Sequence, residues 1–129
     1  MHKSRLAGFI IDCQTDDLQS ATRFWSAALG LKVAASAAAE ATYRALATAA
    51  DEVHLEVQKV GHPSRVHLDI ESDDIEAEVR RLETLGARRI GPVEDWYVME
   101  APTGQRFCVV PVQRADFAAR ANTWNDPSP

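Results

Sequence analysis

The sequence predicts an α+β domain of two tandem βαβββ modules, with helices on one face of each antiparallel-rich sheet. The first observation behind this prediction is an internal repeat: DCQTDDL at 12–18 matches DIESDDI at 69–75, an offset of 57 residues. Aspartate occupies the same three places in both segments. The second observation is that each segment precedes a helical pattern and then a series of strand patterns, which is the order expected of an α+β fold.

Apolar residues spaced three and four apart predict one amphipathic helix after each repeat segment. The stripes consist of Leu18, Ala21, Trp25, Ala28 and Leu29 in module one and of Ile75, Val79, Leu82 and Leu85 in module two. Gly30 and Gly86 follow these stripes and suit left-handed C-terminal caps. Asp73 and Glu76 have the spacing of a capping box, which predicts the start of the second helix.

Strands complete each module. They are predicted near 32–38, 42–48 and 52–60 in module one, and near 88–93, 96–100 and 106–112 in module two. Alanine-rich residues 34–50 favour helix by propensity, and the repeat decides for strand. We expect one domain at 1–114, with module one at about 6–60 and module two at about 64–112. Residues 115–129 form a C-terminal tail in which Phe117 and Trp124 pack and the final DPSP frays.

Composition narrows the class of protein. The 129 residues are 46% hydrophobic and 26% charged, as in an ordinary soluble domain, and the net charge of −5 argues against a nucleic-acid partner. No run is long enough to span a bilayer, so no membrane partner is expected. Cys13 and Cys108 are too few for a disulfide scaffold, which predicts a reducing, cytoplasmic location.

Strand alternation places polar side chains on the faces turned away from the helices. In RVHLDIES at 65–72, apolar residues alternate with His67, Asp69 and Glu71, which predicts one apolar and one ionisable face. Across four strands, the expected non-helix residues include Asp12, His54, Glu56, Gln58, His67, Asp69, Arg106 and Cys108. Such residues line a ligand-binding cleft if the faces curl together, because burying ionisable groups without partners is costly. The alternative is a solvated sheet face.

Several short motifs also occur in a characteristic order. They are Asp17 through Phe24-Trp25 to Leu29-Gly30, then His67-Leu68-Asp69-Ile70, Leu85-Gly86-Ala87, and Ala101-Pro102-Thr103-Gly104 before Phe107-Cys108. With these motifs, residues from about 6 to 112 resemble the glyoxalase/bleomycin resistance/dioxygenase proteins, the vicinal oxygen chelate superfamily. The similarity is greatest to small glyoxalase-like proteins, many of which have no assigned reaction. The resemblance implies two tandem βαβββ modules that form curled mixed sheets around a cleft, in which metal-dependent members hold a divalent ion.

The resemblance also implies which positions would hold that ion, namely Ile10, Glu56, His67 and Cys108. Glu56 and His67 are ligand types found in the family, whereas Ile10 cannot bind a metal and Cys108 stands where the enzymes usually carry glutamate. We therefore expect no cofactor. The alternative is zinc, nickel, manganese or iron held by Glu56 and His67, completed by Cys108, Asp12 or His54.

Three functional hypotheses remain open. The first is a binding protein for a small organic ligand, without an obligatory metal; its acidic cleft favours a cationic or hydrogen-bond-rich ligand. The second is a lyase, isomerase or dioxygenase acting on a small oxygenated substrate, with Glu56 and His67 as catalytic groups. The third is an interaction module. A homodimer is expected because each chain offers two module edges.

The remaining candidates each have two interpretations. The Cys108 thiol is either inert packing or a nucleophile. Trp96, at the start of a strand near the cleft rim, either stacks on a flat ligand or packs at the sheet edge. His54 and Gln58 are expected to be cleft walls, and Arg106 is the one cation among the predicted cleft residues.

Overall fold

The computed structural model describes residues 1–35 and 41–125, and over these residues the chain forms eight strands and three helices. The strands are β1 His2–Gln14, β2 Tyr43–Leu46, β3 His54–Val60, β4 Arg65–Ser72, β5 Arg88–Val93, β6 Trp96–Glu100, β7 Arg106–Pro111 and β8 Asn122–Trp124. The helices are α1 Leu18–Leu29, α2 Ile75–Thr84 and α3 Phe117–Arg120. A mixed sheet with helices confirms the predicted α+β class.

Two compact units divide the chain. The first unit is Gly8–His67, and the second unit is Met1–Ala7 together with Leu68–Pro129. In the first unit, β3 pairs parallel with β1 and antiparallel with β2. In the second, β7 pairs parallel with β4 and antiparallel with β6, β6 pairs antiparallel with β5, and β8 pairs antiparallel with the start of β1.

Helix α1 begins and ends where local sequence signals place it. The Asp17 side chain accepts a hydrogen bond from the Ser20 N–H at 3.0 Å, and Gly30 ends the helix with a φ of 68°, as predicted. Within the helix, Thr22 is buried, whereas Leu29 is exposed. The predicted stripe was therefore wrong at its C-terminal end, because spacing defines a helix face but not how much of it the sheet covers.

Helix α2 begins at a different residue from the predicted one. Its N-cap is Asp74, whose carboxylate accepts from the Ala77 N–H at 3.0 Å, whereas Asp73 accepts from the Lys3 N–H at 2.8 Å. The predicted capping box was therefore wrong by one residue, although Asp74 is the repeat equivalent of the other helix cap. Leu85 is exposed, so the second stripe was also wrong at its end.

The second unit contains a cluster of buried hydrophobic side chains. Val79 and Leu82 of α2 pack with Met99, Phe107 and Val109 of strands β6 and β7. Strands β5 and β6 have the predicted bounds, and β7 ends one residue early. In module one, β2 and β3 are shorter than predicted. In the predicted strand at 32–38, Val33 makes an isolated bridge, and residues 36–40 lie outside the described part.

The burial of side chains in strand β4 differs from the predicted pattern. Of the predicted apolar face, Val66 and Leu68 are 60% and 43% exposed, and only Ile70 packs against the hydrophobic core, whereas Glu71 is fully buried. The Glu71 carboxylate accepts hydrogen bonds from the Gln113 and Arg114 N–H groups and from the Arg114 and Arg5 guanidinium groups. Burial by itself raises the pKa of Glu71, but these hydrogen bonds outweigh it and hold the pKa below its ordinary value.

The C-terminal segment packs against the start of β1, where the sequence predicts packing by its aromatic residues. The Trp124 indole N–H donates to Ser4 Oγ at 2.8 Å, and the Arg81 guanidinium lies 3.9 Å from the Trp124 ring centroid. Phe117 is buried. The predicted fraying of DPSP lies outside the described residues. Among the described residues, no helix is long and apolar enough to cross a membrane.

Candidate functional site

The face of the first unit that points away from α1 carries the predicted polar row. On β1, Ile10 and Asp12 are both buried, and in the parallel ladder they lie opposite Glu56 and Gln58 of β3. The β3 residues are half-buried. The structure therefore partly buries this face instead of leaving it wholly solvated, and burying a carboxylate needs a compensating group.

His54 is the β3 residue nearest the start of this row. It lies opposite Gly8, where an added Cβ would be 2.3 Å from the His54 carbonyl oxygen. Only a residue without a side chain permits this approach of the two strands. The His54 Nε2 atom is buried and has no hydrogen-bond partner within the described residues.

Basic side chains near the end of the first unit compensate the charge of the buried Asp12 carboxylate. Its Oδ2 atom lies 2.7 Å from His67 Nδ1, 3.7 Å from Arg65 Nε and 3.9 Å from His62 Nε2. The Asp12 side chain is 1% exposed. Its Oδ1 atom is buried and has no hydrogen-bond partner in the described part of the chain. The residue is therefore the anionic centre of a cluster of three basic side chains.

Strand alternation predicts Asp12 and His67 as site residues but does not pair them, since they are 55 residues apart. The sequence assigns no role to His62 or to Arg65. A signal for Arg65 was present, because alternation in β4 puts it on the same face as His67. The pairing of these residues depends on which strands become neighbours, which alternation does not specify.

The hydrogen bond to Asp12 determines what the His67 imidazole can do. An ionised carboxylate only accepts hydrogen bonds, so Nδ1 carries the donated proton and Nε2 carries the lone pair of the neutral ring. The carboxylate also stabilises the ring after it takes up a second proton. This arrangement suits an oriented hydrogen-bonding group or general base.

The other predicted site residues lie in the second unit. Asp69 is opposite Cys108 in the β4–β7 ladder, and Asp69 is buried. Arg106 Nε donates to Glu100 at 3.0 Å, so this guanidinium is paired with a carboxylate of the neighbouring strand. Trp96 is half-buried and lies opposite Val93 at the beginning of β6.

Each unit offers donor types that a metal ion accepts. In the first unit these are Glu56 and His67, although Glu56 lies opposite Ile10, which offers no donor. In the second unit Asp69 lies opposite Cys108, and carboxylate and thiolate donors both fit zinc. A metal held by Glu56 and His67 stays a prediction.

Comparison with known proteins agrees with the fold. A family profile described as "Glyoxalase-like domain" matches residues 8–110. The fold resembles the structure titled NAD-dependent benzaldehyde dehydrogenase from Legionella pneumophila (TM-score 0.61, 10% identity, 81% of this chain and 99% of that chain). It also resembles hypothetical protein BH1468 from Bacillus halodurans C-125 (TM-score 0.63, 14% identity, 86% and 96%).

A glyoxalase I mutant from Zea mays matches at 20% identity over 79% of this chain and 44% of that chain, with a TM-score of 0.28. No curated protein matches the chain. At these identities the structural likeness shows the fold alone.

Proposed function

Because the chain belongs to the glyoxalase-like domain family, we propose that it binds a small organic molecule against the polar face of its first unit. The observation that carries this proposal is the 2.7 Å hydrogen bond between buried Asp12 and His67 Nδ1. It presents an oriented imidazole on a sheet face that also carries Glu56 and Gln58. Oriented polar groups of this kind are what gives a small-molecule site its specificity.

The charges around Asp12 indicate which class of ligand fits the polar face. Arg65 and the two histidines neighbour the Asp12 carboxylate, so this residue contributes less acidity to the face than its sequence suggests. A neutral ligand rich in oxygen and hydrogen-bonding groups fits such a face better than a strongly cationic one. In this proposal His67 exchanges a hydrogen bond or a proton with the ligand, Asp12 orients His67, and Glu56 is the second carboxylate of the site.

A thermal-shift and calorimetry screen tests this proposal. Small neutral hydroxy- and oxo-compounds, amines and carboxylates are compared on the wild type, His67→Ala and Asp12→Asn, with Arg80→Ala at an exposed position of α2 as the control. We expect neutral oxygenated compounds to bind the wild type and Arg80→Ala alike and to bind His67→Ala at least about tenfold more weakly. If the affinities of all bound compounds are the same in His67→Ala, the site lies elsewhere.

A second candidate is a metal-dependent enzyme, and the hydrogen bond between Asp12 and His67 Nδ1 favours it. A zinc ion held by Glu56 and His67 would polarise an oxygen atom of the substrate. Asp12 would then orient the ligating His67 through its other ring nitrogen, as carboxylates do around many metal sites.

Metal content distinguishes the two candidates without an activity assay. Inductively coupled plasma mass spectrometry is carried out on tag-free wild type, Cys108→Ser, Asp69→Asn and Glu56→Gln after zinc loading and dialysis. The enzyme candidate expects about one zinc per chain in the wild type and a loss in Glu56→Gln. Substoichiometric zinc in every variant, with nickel and manganese also absent, supports the metal-free protein. A homodimer and a cytoplasmic location stay predictions.

A further inference from the structure

The first unit contains a cavity of about 530 Å³ on the face of its sheet that α1 covers. Its lining comes from the first two turns of α1, from strands β2 and β3, and from Val33 and Ala41 between α1 and β2. Lys59 of β3 lines it, and Lys59 lies opposite Cys13 in the ladder, on the side where Trp25 of α1 reaches Cys13. Asp12 and Gln58 point the other way by alternation, so the cavity is separate from the site proposed above.

Three cations line this cavity. They are Arg23 of α1, Arg44 of β2 and Lys59 of β3, and no carboxylate of the described residues lines it with them. Arg23 Nη2 donates to Ser20 Oγ at 3.1 Å. Arg44 and Lys59 take part in no ion pair within the described part of the chain.

The sheet register brings two of these charges close together. Arg44 lies opposite Val57, and Lys59 is two residues beyond Val57 on the same strand face. The two cations are therefore diagonal neighbours across the ladder, an arrangement in which like charges repel. A bound anion would replace that repulsion by attraction.

Helix α1 adds polar groups rather than further positive charge. Leu18 and Gln19 of its first turn line the cavity, and the Asp17 carboxylate caps the N-terminal end of the helix. Gln19 and Thr22 add polar side chains to the lining. The cavity volume lies within the range of small-molecule sites.

We propose that this cavity binds a small organic polyanion, either a phosphate ester or a polycarboxylate. Multiple negative charge on oxygen atoms is the chemistry that three converging cations recognise. The proposal is independent of the Asp12–His67 site, because it uses the opposite face of the sheet.

Isothermal titration calorimetry with inorganic phosphate and with citrate tests the proposal, with sodium chloride at matched ionic strength as the reference. The test variant is Arg44→Gln with Lys59→Gln. The control variant is Arg80→Gln with Arg120→Gln, which removes the same charge from two exposed arginines on α2 and α3. We expect saturable binding of at least one anion to the wild type, the control and His67→Ala, and at least about tenfold weaker binding to the test variant.

The anion that binds shows whether the ligand of this cavity is a phosphate ester or a polycarboxylate. Thermal unfolding without anion shows whether the test variant folds, and we expect its midpoint to equal or exceed that of the wild type because a repulsion is removed. If that variant does not fold, Arg23→Gln, an exposed position on α1, must weaken binding instead. The proposal is overturned if neither anion binds beyond the chloride reference, if the control weakens binding equally, or if only His67→Ala abolishes it.

Discussion

At the scale of single residues, three buried carboxylates are each paired with basic side chains. Asp12, Glu71 and Glu78 are all buried, and each accepts a hydrogen bond from a basic side chain. Two of them stabilise the fold of the second unit, whereas Asp12 neighbours the predicted functional histidine in the first unit. If one partner of such a pair is removed, the other polar group stays buried in the low-dielectric interior without its hydrogen bond.

Asp12→Asn is expected to change the tautomer of His67. The wild-type carboxylate accepts a hydrogen bond from Nδ1 at 2.7 Å, whereas an asparagine amide can donate as well as accept. The neutral ring of the variant can therefore place its proton on Nε2. Nitrogen-15 chemical shifts of the imidazole ring measure this distribution directly. The same ring shifts in wild type and Asp12→Asn would show that Asp12 does not orient His67.

Glu78 is expected to make stability depend on acid pH. Burial by itself raises its pKa, but hydrogen bonds from Arg81, His2 and Ser4 outweigh burial, so the pKa lies below the ordinary value of 4.5. A carboxyl whose folded pKa is lowered stabilises the fold above its unfolded pKa, and this stability is lost as the pH falls through the folded value.

Urea unfolding at pH 7 and at pH 3 to 4 measures this contribution. Glu78→Gln should lower the free energy of unfolding by about 2–4 kcal/mol at pH 7, and the difference from wild type should shrink in acid. Asp16→Asn, at an exposed carboxylate, is the control and should change stability by less than about 0.5 kcal/mol. A Glu78→Gln effect of the same size at both pH values would contradict the assignment.

At the scale of secondary-structure elements, the two repeat segments use equivalent residues for equivalent tasks. Asp17 and Asp74 each accept a hydrogen bond from the N–H three residues further on, and each begins a helix. The strands differ more, because β1 must approach β3 closely at Gly8. A shared local motif therefore determines where the helices begin, and individual contacts determine how the strands pair.

Gly8→Ala is expected to destabilise the pairing of β1 with β3. A Cβ there would lie 2.3 Å from the His54 carbonyl oxygen and 2.7 Å from the His54 Cβ, so the strands must move apart. The expected loss of unfolding free energy is about 1–3 kcal/mol. The matched control is Gly61→Ala, where an added Cβ meets nothing within 4 Å. Equal stability of the two variants in chemical denaturation would be the contrary result.

At the scale of the whole molecule, the chain beyond the matched family region contributes to the second unit. The family match ends at residue 110, yet Phe117 is buried and β8 pairs with His2–Ser4. Trp124 connects this segment to Ser4 and, through its ring, to Arg81, which also holds Glu78. Stability of the second unit therefore depends on residues that the family comparison does not include.

Two substitutions of Trp124 separate its contributions. Trp124→Phe keeps a ring beside Arg81 but removes the 2.8 Å hydrogen bond to Ser4 Oγ, which should cost about 1 kcal/mol. Trp124→Ala removes both contacts, and we expect a loss of about 2–3 kcal/mol. Thermal and urea unfolding measure both values. If Trp124→Ala unfolds like the wild type, the segment does not stabilise the unit.

The sequence by itself determined what depends on local chemistry: the α+β class, the repeat, the places of the two long helices, the bounds of β5 and β6, and the family. Periodicity and glycine stops carry this information because each residue's conformation depends mainly on its neighbours along the chain. The tertiary structure alone decided that Asp12 meets His67, that β4 buries Asp69 and Glu71 while Val66 and Leu68 stay exposed, and that Arg44 and Lys59 line one cavity. Those outcomes depend on which strands pair and on how far each helix covers the sheet, and both are set by contacts between residues distant in sequence.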